Sequence, residues 1–227
     1  MTTLVYYPYA PIELPLGQLT VIETASPHVY LDLLHGIRDE HDTITFADDS
    51  AHLVDAGKAT TWYGDLELEV DLNKLFQRLM IKRLLNVISD QASIELLDAA
   101  RELLRQVLED SFSLDVPLEV ENSPSLDNIV KFSGLRFSTE AIQTPYDKLE
   151  VLLRTLVELG TKKIPVFTNL SHFLDVNQFQ QLTSLLTGLN IPAVAIEFSS
   201  VNCQSRYPNA HCIWIDQDFN DSRGERE

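Results

Sequence analysis

The chain has 227 residues, is 44% hydrophobic and carries a net charge of −17 at pH 7. This length fits one large domain or two small ones, and no apolar run approaches the ~20 residues that a membrane-spanning helix needs. Such an excess of acid excludes a protein that coats nucleic acid over its whole surface, although it permits a local cluster of cations. The two cysteines, Cys203 and Cys212, indicate no disulfide framework and favour a reducing cytoplasm.

The first third of the chain predicts strands that alternate with helices. An apolar run at 18–23 indicates a buried strand, and the alternation at 43–46 indicates a second one. Between them, Ser26 suits a helix N-cap and Pro27 suits the first helical residue, where its missing N–H costs nothing. The acids of segment 65–71 alternate with apolar residues, which predicts a strand with one solvated acidic face.

From about Asp71 the apolar residues recur with helical spacing. One such run covers 72–89 and another covers 94–112, with Asp90 as a cap between them. A helical segment of roughly forty residues exceeds an ordinary globular helix, so it predicts a projecting arm or a hairpin.

The segment after this arm is predicted to be extended over 116–122. A short helix follows, in which Ser123 is the cap, Pro124 the first residue and Gly134 the stop. The helical part of the chain therefore ends near residue 140.

The last part of the chain returns to strands and helices. Helices are predicted from Pro145 to Gly160 and from Asp175 to Gly188, and the polar tail at 221–227 is predicted to fray. Strands are predicted over 162–170, 191–198 and 211–215. This alternation at short spacing is typical of a parallel α/β sheet. We therefore predict an α/β head made from 1–64 and 141–227, interrupted by a helical leg at 65–140.

The glycines argue against a nucleotide-hydrolysing site. No two of the eight glycines lie closer than seven residues, so neither GxxxxGK[ST] nor GxGxxG is present. Both motifs need neighbouring glycines, because a tight turn must present its backbone N–H groups to phosphate. The sequence therefore predicts no P-loop ATPase and no catalytic residues.

A basic stripe is the strongest functional signal. Lys74, Arg78 and Lys82 follow one another at i, i+4 and i+8, with Arg83 beside them, and no Asp or Glu occurs between 72 and 89. On a helix these cations share one face. The stripe indicates binding to a nucleic-acid backbone, with an ordinary solvated helix face as the alternative.

Acidic residues cluster in the segment 115–127, around a predicted loop. Carboxylate and amide oxygens on a turn are ligands that Ca²⁺ and Mg²⁺ accept, although the spacing does not match an EF-hand. A nuclease built from the same carboxylates would need a second metal set or a positioned base, of which the sequence shows no signature.

Four segments recur in one order in a known family: PIELPLGQLTVIE, LNKLFQRLMIKRLL, VPLEVENSPSLDNIVKFSGLRF and KKIPVFTNLSHFLDVNQFQQL. On these segments the chain resembles the small accessory adaptation protein of type II-A CRISPR loci. The resemblance runs across nearly the whole length and lies in the order and spacing of the segments.

This resemblance implies a head like a P-loop ATPase without its phosphate loop, an inserted helical leg and no catalytic activity. It implies a ring of four subunits that binds the ends of double-stranded DNA without sequence preference and is stabilised by calcium. The implied partners are the CRISPR integrase proteins and the RNA-guided nuclease of the same locus, in spacer acquisition for antiviral defence.

Carried onto this chain, the resemblance assigns calcium to Glu119, Glu121, Asn122 and Asp127. It assigns DNA contacts to Lys74, Arg78, Lys82, Arg83 and Lys131. Further candidates for DNA contacts are Arg136, Lys162 and Lys163.

Two other functions stay open at the level of the sequence. The first is an acidic protein-interaction module that docks a basic partner and does not bind DNA. The second is an enzyme, either a degenerate nucleotide hydrolase or a metal-dependent nuclease that uses the carboxylates of 115–127.

Overall fold

The structure is a computed structural model that describes residues 2–39, 41–48, 50–121 and 123–223. The chain divides into two compact units, of which the first combines Met1–Val70 with Glu140–Glu227 and the second is Asp71–Thr139. The sequence placed the start of the insertion at 65. Leu66 and Val70 nevertheless belong to the first unit, and both side chains are buried.

Strands and helices occupy most of the described residues. The strands are β1 (Thr2–Tyr6), β2 (Ile12–Leu14), β3 (Leu19–Thr24), β4 (Ile44–Ala47), β5 (Leu53–Val54), β6 (Thr60–Asp65), β7 (Ile164–Thr168), β8 (Ala193–Phe198), β9 (His211–Ile215) and β10 (Asp221–Arg223). The helices are α1 (Pro27–Arg38), α2 (Ala56–Ala59), α3 (Leu72–Val87), α4 (Asp90–Ser111), α5 (Leu126–Phe132), α6 (Pro145–Glu158) and α7 (Val176–Leu189). Short 3-10 turns occupy Thr139–Ala141, Leu170–His172 and Gln204–Arg206.

The larger sheet of the first unit has the strand order β10-β9-β3-β8-β7-β6. Its strands pair in parallel, except that β10 is antiparallel to β9. β3 and β7 are buried at every position, as expected for strands of a parallel sheet that is covered on both faces. The prediction of an α/β fold with a mostly parallel sheet is confirmed.

A second, antiparallel sheet with the order β2-β1-β4-β5 was not predicted as such. The sequence indicated β4 but missed β1 and β2, which are short and follow each other around the turn at 7–11. Leu4 and Phe46 of this sheet join α1 in one buried core with Ile22 and Ile196 of the larger sheet. The other face of the larger sheet meets α7, which also packs against α6.

Local capping explains where most helices of the first unit begin. The Ser26 hydroxyl accepts a hydrogen bond from the Val29 amide, and Thr144 and Asp147 bond each other's backbone N–H groups at the start of α6. These starts were predicted correctly, because such caps depend on residues only three apart. The end of α7 was predicted wrongly at Gly188, since the helix continues to Leu189 and Asn190 adopts the left-handed conformation.

The second unit contains α3, α4 and α5, and α5 contacts both longer helices. The predicted break between the two helical runs is present, but the predicted cap at Asp90 is wrong by one residue: the Ser89 hydroxyl accepts from the Ala92 amide at 3.2 Å and caps α4, which begins at Asp90. The predicted cap at Ser123 and start at Pro124 are wrong: Ser125 caps α5 by accepting from the Asn128 amide at 3.1 Å.

Two further predictions of local structure are corrected. Segment 66–70 is not a strand, since the Asp65 carboxylate accepts from the Glu67 and Leu68 amides and curls the chain into a turn. The tail does not fray at Asp221–Arg223, because these residues pair with β9. No helix of the described residues is long and apolar enough to cross a membrane.

Candidate nucleic-acid interface

The basic stripe lies on α3, as the sequence predicted. Asp71 caps this helix by accepting from the Lys74 amide at 3.0 Å, and the apolar side is anchored by Leu72 and Phe76, which are both buried. The four cations follow over less than three turns. Their positions are therefore fixed by a regular helix rather than by a loop.

The side chains of Lys74, Arg78 and Lys82 form no ion pair or hydrogen bond with any residue that the structure describes. Arg83 differs, because it does interact with another group. Three cations thus have no carboxylate partner among the described residues, although the chain has twice as many acidic as basic residues.

Cations on other helices are paired with acids one turn away. Arg101 donates to Asp98 at 2.6 Å, and Arg154 donates to Glu150 at 2.7 Å. Arg105 bonds Glu102 at 2.7 Å and also contacts Glu109. These contacts raise the pKa of Arg105 and lower the pKa of Glu102 to about 2.

The helical cations thus fall into two groups, those paired with a nearby acid and those without such a partner. The arginines of α4 and α6 have neighbouring acids that neutralise them, as is common on solvated helix faces. Lys74, Arg78 and Lys82 on α3 form no such ion pair with any described residue. An unpaired row of this kind is available to an external anion.

A groove of about 620 Å³ runs between α3 and α5. Its lining consists of Gln77, Arg78, Leu79, Ile81, Lys82, Leu85, Asp127 and Lys131. The segment after α5 is held to α3 by two hydrogen bonds, from Gln77 Nε2 to the Leu135 carbonyl and from the Phe137 amide to Asn73 Oδ1. The fold thereby brings Lys131 beside two cations of the stripe.

Lys131 and Asp127 form an ion pair across one turn of α5. The sequence assigned the first to DNA and the second to calcium, so the structure pairs two residues with different predicted roles. Both side chains are exposed, at 61% and 45%. Exposed pairs of this kind contribute little stability, and an incoming ion can compete for either partner.

The remaining calcium candidates lie in irregular chain between α4 and α5. Glu119 and Glu121 belong to this segment, whereas Asn122 lies outside the described residues. The oxygen donors suit Ca²⁺ chemically. The described part of the chain nevertheless gathers no group of three or more His, Cys, Asp or Glu side chains that could hold a metal ion.

The further candidates for DNA contacts, outside the stripe, differ in whether they have a partner within the protein. Lys163 Nζ donates to the Gly57 carbonyl, which gives it a role inside the first unit. Lys162 and Arg136 have no ion pair with the described residues.

The carboxyl edge of the parallel strands is where open α/β sheets bind nucleotides. Here β3 passes to α1 through Ala25 and Ser26 alone, which is too short a loop to wrap around phosphates. The Val29 amide is already bonded to Ser26, and Pro27 has no N–H. Of the first three residues of α1, His28 alone therefore keeps a backbone N–H without a partner among the described residues, whereas a phosphate site needs several such donors.

The fold and the site together define an α/β domain without a phosphate loop, into which a helical unit is inserted that carries three unpaired cations, Lys74, Arg78 and Lys82. A sequence profile of the family described as CRISPR-associated protein (Cas_Csn2) matches residues 39–219. The chain belongs to this family, which confirms the resemblance found in its motifs and gives the protein a CRISPR-associated role.

Two solved structures are similar at low identity. The crystal structure of Stu0660 of Streptococcus thermophilus is 14% identical, with a TM-score of 0.49 over 94% of this chain and 74% of that one. The dimeric structure of MJ0796, a bacterial ABC transporter cassette, is 10% identical, with a TM-score of 0.37 over 100% of both chains. At these scores neither likeness supports a conclusion. No curated protein matches the chain.

Proposed function

We propose that this protein binds double-stranded DNA without sequence preference, at DNA ends and as a calcium-dependent ring of four subunits, during CRISPR spacer acquisition. The observation that carries the DNA-binding part is the row of unpaired cations Lys74, Arg78 and Lys82 on α3. Membership of the CRISPR-associated family supports a role of this DNA binding in a CRISPR system. In the cytoplasm the protein would work with the integrase proteins and the RNA-guided nuclease of its locus.

Charge is distributed unevenly between the two units, in the direction that this function needs. The first unit has 23 acidic and nine basic residues, and the second has 11 and eight. DNA is therefore repelled by the first unit and much less by the second. Contacts to phosphate alone give affinity without sequence preference, which suits a protein that must accept any invading DNA.

The length of the stripe fits DNA binding by several subunits together better than DNA binding by a single subunit. From Lys74 to Lys82 the helix rises ~12 Å, over which a duplex carries about seven phosphate charges. Three cations of one subunit neutralise fewer than half of these charges. Four subunits around one duplex would multiply the contacts, and each contact after the first forms at a high effective concentration.

Calcium is proposed to act at the border of the groove. Glu119 and Glu121 supply carboxylates from irregular chain, and Asp127 supplies a third from the first turn of α5. Because these groups are not gathered in one subunit as it stands, coordination requires either movement of segment 116–121 or ligands from a second subunit. Engaging Asp127 would release Lys131 into the groove, which links calcium to DNA binding.

Assembly is supported by the apolar surface of the second unit. α4 has no fully buried residue among those described. Leu96, Leu103 and Val107, which share one side of α4, are 37%, 49% and 51% exposed. An amphipathic helix of 22 residues with such a surface is typical of an association site.

We also propose that the protein is not an enzyme and that its first unit is a P-loop-like head without a phosphate loop. The short connection between β3 and α1 supports this view.

The test is a gel shift in Ca²⁺ that compares a linear plasmid with the same plasmid covalently closed. Binding to the linear form alone is expected, because a closed ring must thread over an end. Equal binding to both forms would contradict the ring. The same assay in a chelator tests calcium, since the shift of the linear form is expected to disappear.

An acidic interaction module is the second candidate, favoured by the strong negative charge of the first unit. Such a module would dock a basic protein and leave DNA unbound. Absence of any shift with either plasmid at low salt, where phosphate contacts are strongest, would favour it.

A further inference from the structure

Two buried glutamates lie side by side in the larger sheet. Glu23 of β3 and Glu197 of β8 are register partners on neighbouring parallel strands. Register partners project to the same face of a sheet, and adjacent strands lie ~4.8 Å apart. The exposed fractions are 2% for Glu23 and 0% for Glu197.

The hydrogen-bond partners of these carboxylates are neutral. Glu197 accepts from the Ser171 hydroxyl at 2.7 Å and from the Ser171 amide at 3.3 Å. Glu23 accepts from the Cys203 amide at 2.9 Å and from the Tyr207 hydroxyl at 3.3 Å. Within the described residues, no lysine, arginine or histidine forms an ion pair with either carboxylate.

The remaining titratable groups around the pair do not supply a close positive charge. Tyr207 packs between the carboxylates and Phe179 of α7, and Cys212 approaches Glu23 from β9. Tyr30 acts on Glu197 from α1. Arg206 attracts Glu23 without contacting it, and thus offsets only part of the repulsion.

We propose that Glu23 and Glu197 share one proton at neutral pH and that the first unit loses stability when alkaline pH removes this proton. Two charges so close in a site without a cation repel each other, and each loses hydration on burial. A single proton removes the repulsion. The macroscopic titration then belongs to the pair and not to one residue.

The direction of the pH effect follows from burial. Burial raises the pKa of Glu197 to about 7, and it raises the pKa of Glu23 as well. An acid whose folded-state pKa lies above its unfolded value holds more protons when folded. Its contribution is therefore complete below about pH 4.5 and is lost as the pH rises through about 7.

The experiment is thermal unfolding of the full chain between about pH 5.5 and 8.5, for the parent protein, Glu197→Gln and the exposed control Glu140→Gln. The parent is expected to melt at lower temperature as the pH rises. At the alkaline end, Glu197→Gln is expected to have a higher melting temperature than the parent. Its melting temperature should also fall less steeply with pH, because the shared proton is absent. Glu140→Gln should follow the parent.

The readout is the difference in melting temperature between variant and parent at each pH, because this difference cancels the contributions of the groups that both proteins share. If the melting temperature of Glu197→Gln falls with pH as steeply as that of the parent, the shared proton is refuted. Glu23→Gln is expected to remove a smaller part of the slope, since Glu197 would still titrate in a buried site.

Infrared spectroscopy of the parent protein decides the question if the variants do not fold. A protonated buried carboxyl has a C=O stretch distinct from that of a carboxylate. The band is expected at slightly acid pH and should vanish in alkaline buffer. Its absence at slightly acid pH would overturn the proposal, which does not depend on DNA binding.

Discussion

Replacing Lys74, Arg78 and Lys82 together with glutamine is expected to flatten the salt dependence of DNA binding. Each phosphate contact contributes ~0.9 to the slope of log affinity against log salt. Three contacts from a single subunit therefore account for a slope of ~2.7. If all four subunits of a ring engage the duplex, the loss approaches ~11.

The expected change in salt dependence is large enough to measure even if only one subunit contacts the duplex. With a slope difference of ~2.7, the loss of affinity is ~40-fold greater at 50 mM than at 200 mM salt. Fluorescence anisotropy with a short linear duplex at four or five salt concentrations gives both slopes. Gel filtration of the variant should show the parent's assembly, because the three side chains form no hydrogen bond or ion pair with any described residue.

A matched control tests whether position matters beyond charge. Replacing Arg101, Arg105 and Arg154 with glutamine changes the net charge equally, but these arginines are already paired with acids. The control is expected to keep a slope close to the parent's. Equal flattening in both variants would refute the reasoning, because binding would then follow overall charge and not the stripe.

Two further predictions concern the groove and the first unit. Asp127→Asn frees Lys131, so in a chelator, where the parent loses its shift, this variant is expected to keep weak duplex binding with the salt slope of about one additional phosphate contact. Asp98→Asn, which frees Arg101, should behave like the parent. Gly64→Ala is expected to destabilise the protein by about 1–3 kcal/mol in denaturant unfolding, because Gly64 has a φ of +61° and the new Cβ would lie 2.2 Å from Glu69 Oε1. Gly160→Ala has a similar φ of +66° but open space, and should cost less; equal losses would show that Glu69 yields freely.

The sequence predicted those features that depend on nearby residues. Ser26 with Pro27 and Thr144 with Asp147 mark helix starts, because a cap and its target are only three residues apart. The cations of α3 were found in the same way, since i, i+4 spacing defines a helix face.

Features that depend on distant partners were missed. β1 gains its hydrogen bonds from β2 and β4, and nothing in its five residues reveals this pairing. The groove beside α3 depends on the packing of α5, so the sequence named Lys131 but gave no reason for its place beside Arg78. The Asp127–Lys131 pair was readable, since the two residues are four apart.

The sequence contained an indication that Glu23 and Glu197 are unusual, which our prediction did not use. Both acids interrupt strands that are otherwise apolar or small, LTVIET and AVAIEF. An acid inside such a run either faces solvent or is buried at a cost that the fold must offset. Periodicity cannot decide between the two, because both faces of a central parallel strand are covered.

The state of pairing, more than the number of cations, supports the proposed anion site on α3 of this acidic protein. With 34 acidic and 17 basic residues, a random cation on this chain has ample opportunity to find a carboxylate. Arg101, Arg105 and Arg154 did so within one turn of helix. Because the run from Leu72 to Ser89 contains no acid, Arg78 and Lys82 have no carboxylate within one turn of α3, and Asp71, three residues before Lys74, serves as the helix cap. A row of cations that an acidic chain leaves without local partners is therefore best explained by a ligand that supplies the negative charge.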